Sequence, residues 1–228
     1  MHSFWLRIRA PFAAFRWLQA GVYRASSPTI PPSAAWGLVM NLAGIETRDS
    51  APALVTRRRS DAPRVQVAIG EVAPSELNTL YQQLHGYPVG SSGADLEKRA
   101  HGSKYWIAPV RREILCGVDV CVGVRDHETA LLDRVRQGLA GELPRYGLPF
   151  LGDNNLLIDR IEVLEQPHPA RWFRRVDDQT RSASNTARLT VDIDRQDSSR
   201  TKALLFQRSS NIGVQVPEDA WTWVPEPT

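Results

Sequence analysis

The chain has 228 residues, 42% hydrophobic and 23% charged, an ordinary globular composition for which disorder is not the default reading and which accommodates one large domain or a domain with a small appendage. The formal net charge is only +3, yet all but three of the 28 basic residues are arginine. That planar fork binds phosphate through paired hydrogen bonds and stacks on bases, although codon bias in a GC-rich genome yields the same excess.

Phe4, Leu6, Ile8, Ala10 and Phe12 are apolar, while Arg7 and Arg9 fall on the odd side with Trp5. The period of two predicts a strand over Phe4–Phe12 with one face in the core and one presenting guanidinium groups. The loop that follows carries Arg16, Trp17, Tyr23 and Arg24 and runs through Ser26 and a proline-rich stretch to Ser33. A helix is predicted over Ser33–Ala43, capped by Ser33 or opened by Pro32, and closed by Gly44. Its first amides would face any anion that the preceding arginines attract, so this start suggests an RNA-binding surface.

A strand is expected over Arg64–Gly70 and a short helix over Ser75–Leu84, with Leu77, Leu80, Tyr81 and Leu84 on one side. A glycine-rich basic stretch up to Lys104 includes Lys98, Arg99 and His101, and loops this long are functional, disordered or simply solvated hairpin tips. A strand pair is expected within Tyr105–Val124, its clearest part running from Ile114 to Val124 with apolar residues at every even position. Asp126 is a plausible N-cap for a helix over Glu128–Leu139, and a strand follows over Leu156–Leu164. The order βαββαβ predicts an α+β, ferredoxin-like (RRM-like) sheet with both helices on one face and the other face free, the face that RNA-recognition domains use. Pro167-His168-Pro169 marks a boundary between a domain at 1–166 and a small β-rich lobe at 167–228, with about three strands around Leu189, Leu204 and Ile212.

Cys116 and Cys121 lie five apart in one predicted strand, where they point to opposite faces and stay unbridged. Two thiols and five scattered histidines do not make a metal site, and no cofactor is expected. Arginines interrupt any apolar core in a signal peptide, and no run approaches the roughly 20 apolar residues of a membrane span. A cytoplasmic protein is expected.

Several stretches together resemble the CRISPR-associated Cas-five family, whose RAMP-type member caps the 5′ handle of the guide RNA in type I Cascade complexes. They are Ile8-Arg9-Ala10-Pro11-Phe12 through the Ser33-to-Gly44 helix, Tyr81-Gln82-Gln83-Leu84-His85, Lys104-Tyr105-Trp106 through Glu113, and Arg145-Tyr146-Gly147-Leu148-Pro149-Phe150-Leu151-Gly152-Asp153-Asn154. The resemblance spans the chain to about residue 165 in family order. It implies that the insertion at about 75–104 is a thumb lying over the guide RNA. The partners it implies are the crRNA 5′ handle, the backbone and large Cascade subunits and target DNA, and the complex it implies serves antiviral defence or guided transposition.

Two chemistries compete for the basic insertion. His101, Lys104 and Tyr105 are the residue types that metal-free RNA cleavage needs, and one branch of the family processes its repeat RNA with such residues. The adjacent Lys-His pair of that branch is absent here, which favours a non-catalytic role in which Lys98, Arg99, His101 and Lys104 cover phosphates. The candidate RNA-binding set is therefore Arg7, Arg9, Arg16, Trp17, Tyr23, Arg24, Ser26, Ser33, Lys98, Arg99, His101, Lys104 and Arg145. The alternatives are a metal-independent endoribonuclease and a ferredoxin-like protein-interaction module. Arg57-Arg58-Arg59 reads as a solvated loop or an extension of the nucleic-acid track.

Overall fold

A computed structural model describes residues 2–20, 22–50, 56–88, 105–126, 130–176 and 185–226. Among them, eleven strands form one sheet accompanied by two α-helices, an α+β architecture dominated by the sheet.

The first strand, β1 (His2–Ala13), buries Phe4, Leu6, Ile8 and Ala10 as its alternation predicts, whereas Phe12, expected on the same face, is exposed near the strand end and Trp5 on the opposite face is buried. The chain then forms the hairpin β2 (Arg16–Ala20) and β3 (Tyr23–Ser26) before helix α1 (Pro32–Leu42). Of the two predicted openings, Pro32 is the one used. Pro31 occupies the N-cap and Ser33 makes no capping bond. At the other end Gly44 adopts φ +64, a left-handed conformation that glycine enters without a Cβ penalty, and Ile45 N–H reaches back to Met40 O at 2.9 Å.

Strand β4 (Val65–Ala73) is followed by β5 (Glu76–Pro88), so the predicted helix over Ser75–Leu84 is a strand. Leucines and a tyrosine at positions 77, 80, 81 and 84 fit a helical stripe, but residues 76–88 pair in register with the first half of β6 (Tyr105–Asp126). This long-range ladder overrides the local pattern. The predicted strand pair is likewise one strand of 22 residues, β6, which changes neighbours along its length. On one edge it pairs β5 and then β4, which run end to end and are interrupted at Pro74-Ser75; on the other it pairs β3 and then β1.

Helix α2 (Ala130–Ala140) packs on α1. A Cβ on Gly138 would lie 1.7 Å from Leu42 O, so only glycine permits this approach. Strand β7 (Arg160–Leu164) pairs the outer edge of β1, shorter than the span expected from Leu156. The central order is therefore β7-β1-β6-β4 with every pair antiparallel.

The C-terminal strands are β8 (Arg171–Arg175), β9 (Thr186–Asp192), β10 (Lys202–Arg208) and β11 (Thr222–Val224). Hydrogen bonds join β8 and β11 to β4. Ile212–Val216 forms only an isolated bridge, Gly213 to Ala170, in place of an expected strand.

The second face of the sheet is covered where the sequence leaves it free. Trp5, Ala68 and Cys121 from β1, β4 and β6 pack under Ala170, Trp172, Ala220 and Trp221 in a second buried cluster. The Trp5 ring meets Trp172 edge-on with centroids 6.0 Å apart and lies 5.5 Å from Trp221. A Cβ on Gly123 would sit 2.3 Å from the Trp5 ring, so the sheet is thinned by a glycine where this layer is thickest. The partners of Trp5 come from a segment with no period of two or 3.6, which is why the strand pattern alone does not reveal the layer.

Candidate nucleic-acid interface

The arginines of β1 have carboxylate neighbours on the flanking strands, closely held at Arg7 and loosely at Arg9, whose side chain stays 37% exposed. Arg7 donates to both Asp119 oxygens, Nε at 3.0 Å and Nη2 at 2.7 Å, and its Nη1 lies 3.1 Å from His168 Nε2. The Asp119 hydrogen bond is the main reason the Arg7 guanidinium is held above its ordinary pKa. Arg9 lies 3.5 Å from Glu162, which also receives Arg160 at 2.6 Å. Cross-strand geometry produces both arrangements, since β1 is flanked by the acidic residues of β6 and β7.

Beyond the end of β1 the situation changes. The β1–β2 junction, β3, β5, β6 and the loop before β7 enclose a cleft of about 390 Å³. Arg16, Arg24 and Arg112 line it, with Gln82, Glu113, Gly152 and Asp153. Arg24 and Arg112 are directly paired across β3 and β6, and Arg16 pairs Ser26, two residues from Arg24, so the three guanidinium groups share one face of the ribbon. The Arg16 side chain has no hydrogen-bond or ion-pair partner among the described residues, whereas Arg112 meets Asp153 at 2.6 Å.

Ser26 is buried and holds this corner together. Its hydroxyl accepts from Phe15 N–H at 3.1 Å and donates to Ser27 O at 3.1 Å, and its own N–H donates to Glu113 at 2.9 Å. Tyr23 donates its phenol to the other Glu113 oxygen, a bond that holds the phenol above its ordinary pKa. Trp17 and Tyr23 are exposed on the hairpin, and Arg145 is half-buried in the loop that carries Asp153.

Arg16, Trp17, Tyr23 and Arg24 thus gather at one end of the sheet, apart from Arg7 and Arg9 in the carboxylate ladder. Lys98, Arg99, His101 and Lys104 lie outside the described residues. Tyr105 is the first residue of β6, opposite Pro88. Arg58 pairs Asp192 and Arg59 pairs Asp61 at 2.6 Å, which makes this run a set of surface ion pairs. The cleft residues Gln82, Arg112, Glu113, Gly152 and Asp153 are absent from the sequence-derived set, although each falls within a stretch that carries the family resemblance. No spacing rule links residues 16, 112 and 153; the β2–β3 and β3–β6 pairings and the Arg112–Asp153 ion pair do.

Among the described residues, no group of three or more His, Cys, Asp or Glu is placed to hold a metal ion, and no helix is long and apolar enough to cross a membrane.

A two-layered α+β sheet with an arginine-lined cleft at the end of its first strand defines the structural class, and sequence comparison supplies the family. Residues 4–136 match the family described as CRISPR-associated protein (Cas_Cas5), and the chain belongs to that family. It is similar in fold to a chain of a solved structure titled "CRISPR RNA-guided surveillance complex", with a TM-score of 0.59 at 15% identity, over 92% of this chain and 90% of that one. A second solved structure, "Crystal structure of Cas protein", aligns over 99% of both chains with a TM-score of 0.43 and 14% identity. No curated protein matches the chain in sequence.

Proposed function

We propose that the chain is a subunit of a CRISPR Cascade complex that binds and caps the 5′ handle of crRNA, without cleaving it, and scaffolds the backbone and large subunits for recognition of target DNA. The observation that carries this reading is the gathering of Arg16, Arg24 and Arg112 on one face of a cleft in a member of the Cas5 family. Guanidinium groups clustered this way suit a phosphate backbone, and their placement at a hairpin bearing exposed Trp17 and Tyr23 offers rings on which unstacked bases can rest. The β7-β1-β6-β4 order, with α1 after β1 and α2 after β6, supports reading the core as a ferredoxin-like unit elaborated by the remaining strands. A cytoplasmic location accords with this role.

The test uses the purified full-length chain and a labelled CRISPR repeat RNA in EDTA. The proposal expects a retained complex and an intact transcript. Specific shortening of the RNA that is lost in His101→Ala would replace the capping role with endonuclease chemistry, for which loss of one proton-transfer group costs about a hundredfold in rate or more.

A further inference from the structure

The pair Arg112–Asp153 sits inside a cleft otherwise suited to anions. Asp153 divides its oxygens, Oδ2 to the Arg112 guanidinium at 2.6 Å and Oδ1 to Asn155 N–H at 2.9 Å. Its loop does not depend on that ion pair for its position. Leu151 O accepts from Ala14 N–H at 3.2 Å, Leu151 N–H donates to Leu156 O at 3.1 Å, and Leu156 N–H donates to Asp153 O at 2.9 Å. Gly152, at φ +80, presses so closely that a Cβ would stand 2.1 Å from Ala14 O. Asp153 is therefore a carboxylate held out over an arginine by a loop anchored elsewhere.

We propose that the cleft is a binding site for one backbone phosphate of single-stranded RNA, and that Asp153 stands in for that phosphate on Arg112 until RNA enters. This rests on the RNA-binding reading above and assigns the residues that would act within it. A guanidinium donates to carboxylate and to phosphate oxygens alike, so the two compete for Arg112. Arg16 lines the same cleft and is not engaged by Asp153, so an entering strand is offered a second guanidinium that the carboxylate leaves unused. Burial pushes the Asp153 carboxyl up, but the Asn155 amide and Arg112 outweigh it and hold it below the ordinary carboxylate value, so the stand-in is charged at neutral pH. An internal competitor of this kind raises the threshold for weakly held anions while leaving a multivalent strand able to displace it.

The experiment is a double-mutant cycle on the full-length chain, read by fluorescence anisotropy of a labelled single-stranded oligoribonucleotide. Asp153→Asn keeps an oxygen for the Asn155 amide and removes the charge. It is expected to tighten binding about fivefold, the upper range for a partly exposed ion pair. In an Arg112→Ala background the same change should give no gain, because the competition has no object. Asp153→Ser, a second neutral variant, should behave the same way. Equal gains in both backgrounds would mean a plain charge effect and overturn the proposal, as would no gain at all. Inorganic phosphate at matched ionic strength should leave RNA binding unchanged; Arg112-dependent displacement by millimolar phosphate would assign the cleft to a free phosphate group instead. A wild-type chain that binds no RNA would defeat the RNA-binding reading itself, and this inference with it.

Discussion

Removing Trp172 probes the layer that closes the second face of the sheet. The side chain is 1% exposed, meets Trp5 edge-on, and donates Nε1 to Gly213 O at 2.9 Å. A buried tryptophan removes about 200 Å² from water, which at roughly 25 cal/mol per Å² is about 5 kcal/mol before the alanine remnant is subtracted. The lost hydrogen bond adds little, because Gly213 O also accepts from Ala170 N–H at 3.1 Å. Trp172→Ala should therefore destabilise the protein by about 3–5 kcal/mol, in line with large-to-small substitutions of buried aromatics. The assay is urea unfolding followed by tryptophan fluorescence and by hydrogen exchange of β1 and β6 amides. Because β8 and β11 are hydrogen-bonded to β4, the loss should appear as one earlier transition that includes β1 and β6. A biphasic transition in which β1 and β6 keep their full protection would instead make residues 167–228 an independent lobe.

Further predictions concern charge and thiol chemistry. Arg7→Ala should cost about 1–3 kcal/mol of stability, since it leaves the partly buried Asp119 unpaired, while RNA affinity measured by anisotropy stays within twofold. Burial pushes the Cys121 thiol up to about 11, so at pH 8 it should resist a disulfide reagent while the half-buried Cys116 reacts; both should react in denaturant, and rapid native labelling of Cys121 would contradict the packing under Trp172. Arg48 holds the Glu46 carboxyl down to about 2, so any stability this exposed pair contributes is present above the unfolded value of 4.5 and is lost as pH falls from there through 2. The shift should be visible as a lowered Glu46 carboxyl titration by NMR, abolished in Arg48→Ala.

Local pattern and long-range pairing divide what the sequence reveals from what it conceals. Strand β1, helix α1 and the second half of β6 follow from alternation, proline and glycine, because each is decided within ten or so residues. Strand β5 is hidden because its leucines and tyrosine satisfy a helical stripe, and only the facing ladder of β6 selects the strand. The same distinction governs the site. Arg16 and Arg24 are visible as a basic loop running into a proline-rich stretch, though not as the hairpin they form, and Arg7 looks equally available until Asp119, 112 residues away, is placed beside it. Arg112 is concealed for the opposite reason, since nothing near it in sequence marks the cleft that β3 and the Asp153 loop build around it.

The proposed function requires that RNA be held through phosphate contacts made by the cleft arginines. Its most direct test is the salt dependence of single-stranded RNA binding by wild type and by the Arg16→Ala, Arg24→Ala double variant. Each phosphate contact on a single strand contributes about 0.7 to the slope of log affinity against log salt, so loss of two contacts should flatten the slope by about 1.4. A folded double variant that binds the handle with the wild-type slope would mean that these arginines do not hold the RNA phosphates.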